Sequence, residues 1–302
     1  MATLKKSNIA QRTLLVAGCG YLGCEIVRLA MSREWKVVGL THTAASANQL
    51  RSDFGIDAHV AELSSAESLR GVETSLGSID FAVHCASTKG GGVEAYRAVY
   101  VDGCKNLLAA FSPRRFVFVS STSVFGQVNG EVVDETSVTE PASPTGGVLL
   151  DAERVALNAS GSVVRLGGIY GPSRSVLLQK FLEGSATIDE GVARVINQIH
   201  RDDAADAILH VAELAGGEVF HVVDSDPQLQ PELMEWLADF FGRDVPPTAP
   251  RALGKRRGWS NKAVSNKKLR DSGWSPRYSS FREAVKNDPR LVPSIQQLVG
   301  NN

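Results

Sequence analysis

No stretch of this 302-residue chain strings together the apolar residues needed to span a bilayer, which takes about 20. Acidic and basic residues nearly cancel, 33 against 32, for a formal charge of −1, so no excess of one sign points to nucleic acid or a membrane surface as partner. Cysteine is scarce and scattered. Cys19, Cys24, Cys85 and Cys104 make no C-x-x-C pair and no cluster with histidine that could hold a metal. Three of the four fall in or beside apolar segments, where a free thiol acts as a small hydrophobe, and a reduced, cytoplasmic protein is the expectation. The opening MATLKKSNIAQR has a basic pair but no apolar stretch behind it, so no secretory signal is expected. Internal repeats and low-complexity tracts are also missing. What is left is an ordinary globular composition, 43% hydrophobic and 22% charged, long enough for one large α/β domain plus a smaller lobe.

Against that plain background one stretch stands out. Leu14, Leu15, Val16 and Ala17 run straight into Gly18, Gly20 and Gly23, spaced G-x-G-x-x-G, and Ile26, Leu29 and Ala30 follow at helical spacing. Strand, tight turn and helix form the context in which this spacing has a mechanism. Gly18 permits the turn, Gly20 lets backbone approach a pyrophosphate, and Gly23 lets helix and strand pack closely. Tyr21 and Leu22, between the second and third glycines, are expected cofactor contacts with them, and the N-terminus of the helix that follows offers free N–H groups and the positive end of its dipole to an anion.

Further along, apolar strands alternate with helical segments. Strands are expected at 35–41, 58–61, 79–85, 115–120, 162–166 and 218–223, and helices at 44–54, 93–111, 146–159 and up to Leu214. The near-continuous apolar runs IDFAVHC and RFVFVS fit parallel strands buried on both faces. The fold class is therefore α/β, a Rossmann-type doubly wound parallel sheet with a smaller C-terminal substrate lobe. Residues 1–170 and 199–224 are assigned to the dinucleotide-binding domain, and 171–198 and 225–302 to the smaller lobe. His84, inside a strand, is read as a packed core histidine.

Ligands of such sheets collect at the carboxyl ends of the strands. Beyond the glycine loop, the expected cofactor contacts are Thr41 and His42, Glu62 and Leu63, Cys85, Ala86 and Ser87, and Ser120. An NAD-specific site usually has an acid at the end of the second strand, where this chain has Leu40, Thr41, His42 and Thr43. A hydroxyl and an imidazole tolerate a 2′-phosphate, so NADP is expected ahead of NAD.

Six segments in this order, AGCGYLG, HCAS, SSTSVFG, RLGGIYGP, IHRDDAADAI and NKKLRDSGW, resemble the extended short-chain dehydrogenase/reductase superfamily, especially its NAD-dependent epimerase/dehydratase-like members. The resemblance covers nearly the whole chain. It implies a nicotinamide cofactor, a substrate that is often a nucleotide sugar, and Ser121 in the place of the catalytic Ser/Thr. The superfamily's Tyr-x-x-x-Lys pair is missing. With Glu153 taken as the acid that follows it, Thr145 and Leu149 stand at the Tyr and Lys positions, and no Tyr occurs between Tyr100 and Tyr170. The Tyr is the general acid/base and the Lys lowers its pKa and holds the nicotinamide ribose; Thr145 and Leu149 can do neither.

Two functions remain open on the sequence. One is an oxidoreductase or epimerase-like enzyme in which Ser121 and Ser123 polarise a carbonyl and Tyr170 or His200 carries the proton, although both of these also suit structural roles. The other is a non-catalytic dinucleotide-binding redox sensor or scaffold. The basic run Lys255, Arg256, Arg257, Lys262, Lys267, Lys268 and Arg270 is expected to be a solvated face, with contact to substrate phosphates as its alternative. A small-molecule substrate, no nucleic acid and no membrane are the expected partners, and a homodimer is left open.

Overall fold

The computed structural model describes residues 11–88, 90–250 and 260–300. Lys89 and the basic residues Lys255, Arg256 and Arg257 lie outside them.

Seven strands make the central sheet: β1 (Thr13–Ala17), β2 (Lys36–Thr41), β3 (Asp57–Val60), β4 (Phe81–His84), β5 (Arg115–Ser121), β7 (Ser162–Leu166) and β12 (Val219–Val222). Their order is β12-β7-β5-β4-β1-β2-β3, and every neighbouring pair is parallel. The order reverses between β1 and β4, which opens a crevice at the carboxyl ends where a ligand can enter. β1 is apolar on both faces because helices cover both, and Leu14, Leu15 and Val16 are fully buried. This is the expected Rossmann-type sheet.

One face carries α1 (Tyr21–Ser32), α2 (Ala44–Phe54) and α8 (Arg201–Glu213); the other carries α3 (Ala66–Glu73), α5 (Gly103–Phe111) and α6 (Pro144–Asn158). Local signals start these helices. Thr43, Ser65 and Ser143 accept hydrogen bonds from Ser46, Ser68 and Gly146 N–H groups, and Pro144 sits in the first turn of α6.

The segment 93–111 departs from the continuous helix its periodicity predicts. α4 (Val93–Tyr96) passes into a π turn, Arg97–Asp102, before α5 resumes. An extra residue per turn shifts backbone carbonyls away from their usual partners. The buried His84 meets one of them, with Nε2 2.9 Å from the Val99 carbonyl oxygen. Gly103 completes the fit, because a Cβ there would stand 3.1 Å from that same Nε2.

Short strands fill the C-terminal edge: β6 (Glu131–Val133), β8 (Gly168–Tyr170), β9 (Ile188–Asp189), β10 (Val195–Ile196), β11 (Gln198–His200), β13 (Gln228–Leu229), β14 (Thr248–Ala249) and β15 (Lys262–Val264). Around α7 (Val176–Leu182), α9 (Gln230–Phe241), α11 (Phe281–Asn287) and α12 (Leu291–Gly300) a separate apolar cluster gathers Leu178, Phe181, Leu233, Phe281 and Ile295. Leu269 in α10 (Lys267–Asp271) and Trp274 join the sheet core instead. Among the described residues no helix is long and apolar enough to cross a membrane.

Candidate functional site

β1 ends at the crevice, and its three glycines are required for three different reasons. Gly18 has φ +101, and a Cβ there would lie 2.3 Å from the Ala86 backbone. At Gly23 a Cβ would lie 2.2 Å from the Gly18 carbonyl oxygen. Gly20 is the opposite case, with nothing within 4 Å of its missing Cβ. It is the N-cap of α1, offers no side-chain hydrogen bond, and is followed by a first turn without an acid. The first-turn N–H groups thus have no side-chain cap and no acid beside them, as an anion site requires.

Thiols brace the loop from behind. Cys85 Sγ donates to the Gly18 carbonyl oxygen at 3.2 Å, Cys19 Sγ to Val16 and Cys24 Sγ to Cys19, both at 3.4 Å. Burial pushes the Cys85 thiol up to about 12 and raises Cys19 and Cys24 as well, so all three act as neutral donors. Ala86 is half-buried and Ser87 exposed in the following loop.

At the ends of β2 and β3, Thr41 Oγ1 donates to the Thr43 carbonyl oxygen at 3.1 Å, and His42 is exposed. The register brings Glu62 beside His42, with Oε2 3.2 Å from Nδ1. Burial pushes the Glu62 carboxyl up, but the Ser64 N–H and hydroxyl, with His42, outweigh it and leave it below its ordinary value. An acid is thus present at this corner, supplied by the loop after β3 rather than by β2. Leu63 is buried and its carbonyl oxygen accepts from Asn106 Nδ2 at 2.8 Å.

The serine loop divides by strand parity. Ser120 points beneath α6, where its hydroxyl donates to Glu153 Oε1 at 2.5 Å. Glu153 also holds Arg165, Nη2 to Oε2 at 2.7 Å, and both partners are buried. The Arg165 guanidinium lies 5.1 Å from the Phe125 ring centroid. Ser121, on the other face, is half-buried and caps a 3₁₀ turn, Thr122–Val124, its Oγ accepting from Ser123 N–H at 3.2 Å. Its own hydroxyl hydrogen stays available to donate. Thr145 and Leu149 are both buried in α6, and the Thr145 hydroxyl lies 3.2 Å from Ser143 Oγ.

Tyr170 lies elsewhere, 1% exposed in the C-terminal cluster, its ring edge-on to His200 at 5.3 Å and Phe281 at 4.8 Å. Burial, with Asp224 and Asp203 nearby, raises its hydroxyl far above the ordinary phenol range. His200 is also buried. Its Nδ1 accepts from Asp202 N–H at 3.2 Å, which leaves Nε2–H to donate to Asp288 Oδ2 at 3.1 Å. Burial holds His200 below its ordinary pKa despite those two carboxylates.

The expectation of a solvated face for the basic run needs correcting at Lys262, which is 5% exposed. Its Nζ donates to the Phe125 carbonyl oxygen at 3.1 Å and Ser260 Oγ at 2.7 Å, and burial lowers its pKa to about 8. Also unforeseen was the setting of Tyr21, whose ring lies 5.2 Å from the Arg174 guanidinium and 5.0 Å from that of Arg201.

Comparison with known proteins gives the family. Residues 14–223 match the NAD dependent epimerase/dehydratase family over the whole sheet, from the glycine loop to β12. The chain belongs to that family. Among relatives of this epimerase/dehydratase chain is a 3-diazoavenalumate denitrifying reductase from Streptomyces sp, 26% identical over 58% of this chain and 65% of that protein. A Methylobacillus flagellatus protein assigned as an NAD-dependent epimerase/dehydratase is 27% identical, with TM-score 0.73 over 95% of this chain and 100% of the other. The Thermotoga maritima UDP-glucose 4-epimerase, solved with UDP-glucose, shares the fold at TM-score 0.77 and 18% identity, over 95% and 99% of the two chains.

Proposed function

We propose that this epimerase/dehydratase-family chain is an NAD(P)-dependent oxidoreductase or epimerase-like enzyme for a small polar substrate, with nucleotide sugars among the candidates. The observation that carries the reading is Gly20, a helix start with no side-chain cap and open space around its missing Cβ, within a loop whose other glycines are sterically obligatory. Gly18, Gly20, Tyr21, Leu22 and Gly23 would hold the pyrophosphate, and Thr41, His42, Glu62 and Leu63 the adenosine half, with Cys85, Ala86 and Ser87 lining the middle. When bound, the nicotinamide supplies or accepts a hydride. Ser121 donates its free hydroxyl to a substrate carbonyl or carbinol oxygen, and Ser123 supports it through the capped turn. Tyr170 is left out of the proton path, because a buried phenol with a raised pKa is a weak acid near neutrality. For the cofactor, exposed His42 favours the 2′-phosphate of NADP while Glu62 opposes it. The smaller-lobe segments 171–198 and 225–302 are read as the substrate side, and the loop's neutral thiols suit a reducing cytoplasm.

A second reading rests on α6. Thr145 and Leu149 leave no acid/base pair beside Ser121, which suits a dinucleotide-binding sensor or scaffold. The deciding experiment has two parts. NADH or NADPH should raise Tm, and Gly20→Val should abolish that rise, since a side chain there fills the open space. NADPH oxidation is then followed with a panel of carbonyl compounds, and UDP-sugars incubated with the protein and NAD are analysed for epimerised product, since epimerisation consumes no cofactor. Turnover supports the enzyme, binding without turnover supports the sensor, and no Tm shift overturns both.

A further inference from the structure

Two arginines flank one tyrosine ring beside the glycine loop, and their electrostatic situations differ. Arg201 is engaged, with Asp202 Oδ1 at 2.9 Å and Glu25 Oε2 at 3.3 Å. Arg174 is exposed and makes no ion pair or side-chain hydrogen bond among the described residues. Its guanidinium is held over the Tyr21 ring, and Tyr21 is the first residue of α1. The ring is itself fixed, because its hydroxyl donates to the Pro172 carbonyl oxygen at 3.0 Å. Burial raises the Tyr21 phenol to about 12 against the pull of both arginines, so it remains a neutral donor. Gly171 lets these groups converge. It has φ +158, and a Cβ there would stand 2.7 Å from the Tyr21 hydroxyl oxygen.

The turn after β8 is thereby pinned to the start of α1, and it carries a cation with no carboxylate partner 5.2 Å from the ring of that helix's first residue. A guanidinium kept free of carboxylates, and stacked on an aromatic face that limits its freedom, is pre-organised for a phosphate. A dinucleotide brings two negative charges to that helix start. We propose that Arg174 is a pyrophosphate-binding residue, adding a pre-organised cation to the N–H groups of α1. The inference deepens the dinucleotide reading above and rests on it. It gives the C-terminal side of the crevice a hold on the cofactor that does not need the missing lysine of α6.

The test is calorimetric titration of the full chain with NADH and with ADP-ribose, which keeps the pyrophosphate and lacks the nicotinamide, at low and at high salt. Arg174→Gln should weaken both ligands alike by about tenfold, the loss of one charge-assisted contact, and should flatten the salt dependence. Arg174→Lys should fall between the two, keeping the charge without the fork. The unliganded Tm of both variants should stay within about 2–4 °C of that of the unaltered protein, since an exposed stack on Tyr21 is the only side-chain contact Arg174 has to lose among the described residues. Arg174→Gln binding within about twofold of the unaltered protein, with the same salt response, overturns the inference. If Gly20→Val abolishes binding while Arg174→Gln does not, the inference alone falls. If the unaltered protein binds neither ligand, the dinucleotide reading falls with it.

Discussion

Replacing His84 by glutamine separates two things the imidazole does, bonding the π turn and resisting protonation. Burial lowers His84 from an ordinary value near 6.5 to about 4, with the Val99 carbonyl pulling weakly the other way. A base whose folded-state pKa is depressed contributes stability that is fully present above the unfolded value and is lost as pH falls through the window from 6.5 to 4. At about pH 4.5 the loss works out to about 2.5 kcal/mol, taking 1.36 kcal/mol per unit and allowing for partial protonation of the folded state. That is a large share of the roughly 5–15 kcal/mol that holds a domain folded. Glutamine can keep an N–H pointed at the Val99 carbonyl oxygen and cannot titrate. His84→Gln should therefore be less stable at about pH 7.5, by about 1–3 kcal/mol of lost packing, and should close most of that gap at about pH 4.5. Urea unfolding followed by tryptophan fluorescence at both pH values measures the gap. Asp203, which burial raises to about 6, contributes oppositely over the same range but cancels between the two proteins. A gap unchanged by pH would show that His84 is not held neutral by the fold, and the argument from its burial would be refuted.

Gly18→Ala should lower Tm and abolish the cofactor shift, because its Cβ collides with Ala86 backbone at a φ that costs about 1–3 kcal/mol by itself. Glu153→Gln should destabilise by about 3–5 kcal/mol by stranding the Arg165 charge, and Glu153→Leu combined with Arg165→Met should recover most of it in a thermal-melt cycle. Glu62→Gln should shift the ratio of NADH to NADPH dissociation constants toward NADPH, since it removes the charge facing a 2′-phosphate; titration showing no change would disconnect that corner from cofactor choice.

The sequence carried the first βαβ unit well because its information is local, with an apolar run, three spaced glycines and a helical period within twenty-odd residues. The same holds for the central strands of the sheet, such as β1 and β4, which are apolar on both faces and need no partner to be recognised. The π turn was illegible because its extra residue hides inside an acceptable helical period, and its cause, His84, lies on another element. Lys262 looks like any basic surface residue until β15 is laid on β6 and the loop at Phe125 closes over it. Glu62 was expected at the cofactor, but not beside His42, because only the pairing of β2 with β3 makes the two neighbours. Ser120 could have been separated from Ser121 by parity alone, since Phe116, Phe118 and Ser120 alternate onto the α6 face.

The C-terminal apolar cluster also has a bearing on how the chain leaves the ribosome. Tyr170, Leu178 and Phe181 belong to segments synthesised before β12, but Phe281, Leu291 and Ile295, which complete their surroundings, arrive about 110 residues later. At a synthesis rate of about 5–20 residues per second, the face of α7 that packs on α12 stays uncovered for several seconds after the dinucleotide crevice has its strands. Any nascent chain halted before α11 would leave the cluster incomplete, with Phe181 covered only from the side of Phe241 in α9, a target for chaperones and proteases even with β1 to β12 already synthesised.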